Sequence, residues 1–223
     1  NKTNELINKG ILNIIKKKQI RKNALNYSQF ITALYPLLEK NNNNPNSEKI
    51  PHIGESHCLS FAHQTLYIYS QKKKVQPVLI TGGKAWHFAN TKNNKWKNFL
   101  TEQIKNHTYS EKVLISFGEI DCRKDEGILS YVIKKNKDIS EVCENTIKGY
   151  LDYMEEILSP SYSQRYYFGV PAPTIGKELP DELDIKRIEM VQLYNSLLKK
   201  EVLSRGSYFL DVYKLTSNND GVN

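Results

Sequence analysis

From residue 48 onward, short apolar runs alternate with longer stretches of helical period, and most of the runs stop at a glycine or a proline. That alternation constrains the fold more than any other feature. The runs are too brief to be helices, and the stretches between them supply the crossovers that parallel strands require. Strands are expected at 49–53 entering Gly54, at 75–80 ending before Gly82-Gly83, at 112–117 ending at Gly118, at 165–170 stopped by Pro171, and at 207–212. Helices are expected at 59–69, at 141–158 stopped by Ser159-Pro160, and at 181–204. The pattern predicts a three-layer α/β/α domain around a central, mostly parallel sheet.

The first forty residues read differently. Leu6, Ile7, Ile11, Ile14 and Ile15, then Phe30, Ile31, Leu34, Leu37 and Leu38, recur at helical spacing. They predict an N-terminal helical hairpin over 1–40, an appendage resembling the end of a helical repeat array. The run 41–47, Asn-Asn-Asn-Asn-Pro-Asn-Ser, is a linker by composition, so the α/β domain spans 48–223. The net charge of +8 is local, because residues 1–22 hold seven Lys/Arg against the single acid Glu5. The expected reading is a solvated helix face with weak anionic-surface contact through residues 2–22. With no aromatic stacking platform there, nucleic acid is not expected as a partner. No apolar run approaches the roughly 18–20 residues of a membrane span. Three cysteines without tight spacing give neither a disulfide scaffold nor a zinc knuckle, and Cys58 and Cys122 are expected as reduced neighbours of a cytoplasmic protein.

Function in such sheets collects at the carboxyl ends of the strands. Read in order, those ends are Gly54-Glu55-Ser56-His57, Gly82-Gly83-Lys84, Gly118-Glu119-Ile120-Asp121-Cys122-Arg123 and Val170-Pro171-Ala172-Pro173. Ser56 opens a helical segment, where the helix amino end favours developing negative charge. A glycine after the second strand lets a backbone N–H approach a reacting oxygen. His57 is a structural or substrate-contacting residue, and Lys84 and His87 follow the second strand toward the same rim. Glu119, Asp121 and Arg123 are either an ion-pair network holding their loop or direct substrate contacts. Trp86 and Trp96 are a sugar-stacking platform or core. No histidine pair has ligand spacing with a carboxylate, so neither metal nor cofactor is expected.

The order of these blocks, over roughly residues 50–215, resembles the SGNH (GDSL-like) hydrolase superfamily. The resemblance implies Ser56 as nucleophile, with oxyanion donors from the N–H of Ser56 and of Gly82 or Gly83. Glu55 stands where that superfamily usually has Asp. Ile120 stands where it has an oxyanion Asn, so Arg123 or backbone alone must fill that role. The Asp-x-x-His block that supplies the base has no counterpart in Asp211-Val212-Tyr213-Lys214. The resemblance then places that histidine beyond residue 223, in a domain truncated at its carboxyl end. The implied activity is serine-dependent hydrolysis of O-acyl, foremost O-acetyl, groups of a carbohydrate or another small ester. Alternatives are an O-acyltransferase of polysaccharide biosynthesis using the same serine, and a catalytically silent glycan- or protein-binding module.

Overall fold

The computed structural model describes residues 48–107, 110–175, 180–218 and 221–222. The chain divides into two compact units, Asn1–Ser47 and Glu48–Asn223. The expected hairpin over 1–40 and the linker 41–47 lie outside the described residues.

The second unit is built on six strands: β1 (Glu48–Gly54), β2 (Thr65–Ile68), β3 (Gln71–Leu79), β4 (Lys112–Ser116), β5 (Gln164–Phe168) and β6 (Tyr208–Leu210). Their order across the sheet is β2-β3-β1-β4-β5-β6, with β2 antiparallel to β3 and every other pair parallel. Six helices accompany them: α1 (Ala85–Ala89), α2 (Lys95–Asn106), α3 (Ile128–Lys135), α4 (Ile139–Leu158), α5 (Glu182–Ser204) and α6 (Val212–Thr216). The α/β class and the mostly parallel sheet are as the sequence predicts.

Strand β4 shows why the pattern is readable. All of its residues are buried, as a central parallel strand requires, and their side chains alternate between the two faces. Val113 and Ile115 join Ile53, Val78 and Tyr167 under the helices. Leu114 joins Ile50, Val75 and Tyr166 in a smaller cluster on the opposite face. Of the three expected layers, the sheet and one helical layer lie within the described residues. Helix α4 contributes Cys143, Ile147, Tyr150, Leu151, Met154 and Leu158 to that layer, a stripe at helical spacing. It begins where the Asp138 side chain accepts a hydrogen bond from the Glu141 N–H. Helix α5 starts with a capping box between Asp181 and Asp184. No described helix is long and apolar enough to cross a membrane.

One expected element is replaced. The helix read at 59–69 is a 3₁₀ turn, Ser56–Leu59, followed by the edge strand β2. Apolar residues at 59, 61, 66 and 68 imitate helical spacing, but Thr65-Leu66-Tyr67-Ile68 is a strand-forming run. It pairs with β3 through a two-residue turn in which Tyr69 and Ser70 both have positive φ, 48° and 65°. The Gln64 carbonyl accepts from the Val75 N–H at 2.8 Å, closing the hairpin where a helix would have had its own ladder. Helices α1, α2 and α3 were not anticipated.

Taken along the parallel strands, the chain runs from β1 outward to β3 and then crosses back over β1 to β4. The order therefore reverses at β1, and the crevice beside its carboxyl end is where such sheets bind ligands.

Candidate active site

Strand β1 delivers Gly54 into contact with β4. A Cβ at Gly54 would stand 2.2 Å from Ser116 Oγ and 2.5 Å from the Ser116 carbonyl, so only glycine allows the two strand ends to meet. The next residue, Glu55, donates its N–H to that carbonyl at 3.2 Å and sends a side chain only 1% exposed to the crevice. Three donors converge on this carboxylate. Ser56 Oγ donates to Oε2 at 2.8 Å, the His57 N–H donates to Oε2 at 3.2 Å, and His57 Nδ1 lies 2.7 Å from Oε1. A carboxylate has only acceptors to offer, so His57 carries its Nδ1 proton and leaves Nε2 for another partner.

These contacts set the charges. Burial alone would raise the Glu55 carboxyl, but the bonds from His57 and Ser56 outweigh it and hold the group below its ordinary value. Burial likewise pulls His57 down, while the bond and charge of Glu55, helped by Glu119, carry it above the ordinary imidazole value. Ser56 itself is exposed as the first residue of the 3₁₀ turn.

Beside this cluster lies a cleft of about 470 Å³, lined by Glu55, His57, Ser116, Glu119 and Arg187 and walled by apolar residues including Phe61, Phe168 and Pro171. The Ser116 hydroxyl is buried without a hydrogen-bond partner among the described residues. Gly118 follows β4 at φ 124°, and a Cβ there would press on Tyr194 and Val170 at 3.0 Å. This turn aims Glu119 into the cleft. Its Oε2 accepts from Arg123 Nε at 2.9 Å, and its Oε1 lies 3.6 Å from Arg187 Nη2. Arg187 is fixed in turn by donating Nε to the Cys122 carbonyl at 3.1 Å.

The structure separates the candidate residues into two groups. Glu55, Ser56, His57 and Glu119 come together, with Arg123 behind Glu119. Asp121 points away: fully buried, it accepts from the Ala85 and Trp86 N–H groups at 2.8 and 3.0 Å and anchors the start of α1. Burial pushes its pKa up to about 6 against those two bonds. Gly83 gives its N–H to the Ile80 carbonyl at 2.9 Å and so has none to offer an oxyanion, a correction to the reading of that pair. Gly82 is exposed at φ 67°; like Ser56, it lies outside the residues that line the cleft. Lys84 and His87 are at a different cavity, where His87 Nδ1 accepts from the Lys84 N–H at 3.1 Å and the ring stacks on Trp96 at 3.5 Å. Burial, with Lys84 and Lys95 nearby, lowers His87 to about 4. Ile120 is buried.

The sequence reading missed Arg187 and Ser116. Arg187 sits within a long helix with no motif around it, and Ser116 is the last residue of a strand otherwise read as apolar. The three cysteines are free and buried, and burial pushes the Cys58 thiol up to about 12, so it stays a thiol at neutral pH. Donor atoms of Glu55, His57 and Glu119 lie within 4.8 Å of one another. As a cation site this set fits poorly, because Arg123 and Arg187 already balance Glu119 and His57 Nδ1 is engaged by Glu55.

No family model matches the chain, and no curated protein matches it. Solved structures do. A GDSL-like lipase from Bacteroides thetaiotaomicron aligns over 89% of this chain and 82% of its own at 12% identity, with a TM-score of 0.47. An acetyl xylan esterase aligns over 74% of this chain and 78% of its own at 13% identity and a TM-score of 0.48. A catalytic mutant of an acetylxylan esterase from Geobacillus stearothermophilus aligns over 74% and 75% at 15% identity and a TM-score of 0.43. These are likenesses at low identity, and they assign no residue.

Proposed function

We propose that the chain is a serine-dependent ester hydrolase of the SGNH kind, acting on O-acyl groups of a carbohydrate. The observation that carries the reading is the shared carboxylate: Glu55 holds the Ser56 hydroxyl at 2.8 Å and the His57 imidazole at 2.7 Å, beside a cleft at the sheet's reversal point.

Ser56 Oγ attacks the acyl carbonyl and passes its proton to Glu55 Oε2, which it already bonds at 2.8 Å, while His57 holds Oε1 through its Nδ1 proton. The oxyanion that forms lies at the Ser56 N–H, which as the first of its turn has no partner within that turn. Arg187 is a cation lining the same cleft, held there by Glu119 and the Cys122 carbonyl. The sugar alcohol leaves with the proton, and water releases the acyl group by the same steps in reverse. The apolar wall receives the acyl chain. The resemblance to the superfamily makes O-acetyl the foremost candidate.

Acetate release from acetylated xylo-oligosaccharide tests this. Ser56→Ala should lose about 10³-fold or more, the usual loss for a nucleophile whose oxyanion site survives. His57→Ala should lose at least tenfold. A His57→Ala protein as fast as the parent would show that His57 does not set the Glu55 carboxylate for the reaction. Unchanged turnover in Ser56→Ala would overturn the reading.

A further inference from the structure

Lys84, His87 and Asp121, drawn by the sequence toward the reactive serine, line a second cavity of about 230 Å³ instead. Two of its walls are aromatic and half open: Trp86 is 51% exposed and Tyr131 is 48% exposed. The other tryptophan shows what a structural indole looks like in this fold, since Trp96 stacks on His87 and donates Nε1 to the Thr81 carbonyl at 3.2 Å. Trp86 is held through its backbone, by Asp121, and leaves its ring to the cavity. The same cavity is lined by a donor, Lys84, and an acceptor, Glu126. Lys84 Nζ donates to the Glu126 carbonyl at 2.7 Å and lies 3.5 Å from the Glu126 carboxylate.

We propose that this cavity is a saccharide subsite that takes one pyranose ring of a neutral glycan. A sugar ring offers an apolar C–H face and a fringe of hydroxyls. It is matched by an amphipathic aromatic wall with a few fixed polar groups beside it. Trp86 and Tyr131 take the ring face, and Lys84 and Glu126 take the hydroxyls. A quaternary cation also suits aromatic walls, but the ammonium of Lys84 opposes it. The choice of a glycan rests on the esterase reading, whereas the binding requires no turnover.

Two tryptophans give the chain two indole N–H resonances, one from the cavity wall at Trp86 and one from the structural indole at Trp96. In Ser56→Ala protein, titration with xylotetraose, cellotetraose and chitotetraose at millimolar concentration should move the Trp86 resonance with at least one sugar and leave Trp96 in place. Tyr131→Ala should weaken that binding about tenfold, and Tyr131→Phe should restore it. The undisturbed Trp96 resonance reports an intact fold in both variants. No shift at Trp86 with any of the three sugars overturns the subsite, as does a Tyr131→Ala protein that binds as tightly as its parent. Failure of the parent to release acetate would count against the esterase reading alone, so the two failures are distinguishable.

Discussion

At the scale of single residues, the site turns on one carboxylate. Glu55 is buried yet ionised because its two neighbours in sequence both donate to it, and His57 gains proton affinity in return. The two shifts have opposite signs. His57, raised in the folded state, contributes stability that is complete below the unfolded imidazole value and is lost as pH rises through its folded value. Glu55, lowered, contributes stability that is present above the unfolded carboxyl value and is lost as pH falls through its folded value. The pair therefore stabilises most between those limits. Glu55, which bonds Ser56 Oγ, accepts a proton only when ionised, so the rate of Ser56 acylation should fall as pH drops through a midpoint below 4.5, the ordinary carboxyl value. Glu55→Gln removes the charge and keeps the shape. It should move the His57 midpoint, followed by the NMR shifts of its ring protons, to lower pH and slow acylation at least tenfold. An unmoved midpoint would show that Glu55 does not govern His57.

At the scale of elements, strand ends were legible and surface connections were not. Gly54, Gly83 and Gly118 each stand where a side chain would strike a neighbour, so their positions mark real closures of the fold. The 59–69 segment was misread because apolar spacing alone does not separate a helix from a turn followed by a strand. Its hairpin turn is also poorly matched, with a tyrosine and a serine at two positive-φ positions. Replacing Tyr69-Ser70 by Asn-Gly should stabilise the domain by about 0.5–1 kcal/mol, read as a higher Tm. Asp121 was legible as important, but its role in anchoring α1 depends on a partner thirty-five residues away in sequence, at Trp86. Asp121→Ala should leave the buried Ala85 N–H and the part-buried Trp86 N–H without acceptors and cost about 1–3 kcal/mol in a denaturant titration. A smaller change would mean that water replaces the carboxylate.

At the scale of the whole molecule, charge and chemistry are separated along the chain. The basic residues of 1–22 lie in one compact unit and every block with chemistry in the other. A protein lacking residues 1–40 should therefore keep its acylation rate on a small ester, and a folded deletion that lost it would place that segment at the site. Arg187 shows why the candidate site was only partly readable. It reaches the cleft because α5 packs across the sheet, which no local spacing announces. The position of Gly54-Glu55-Ser56, by contrast, is readable because chain order alone puts that segment at the end of the strand where the sheet reverses. The most direct measurement of the central claim is intact-mass and peptide analysis of the 223-residue chain treated with a fluorophosphonate. The account predicts a single adduct, mapped to Ser56 and abolished by Ser56→Ala. An unmodified chain at neutral pH, or an adduct at any other residue, would contradict it.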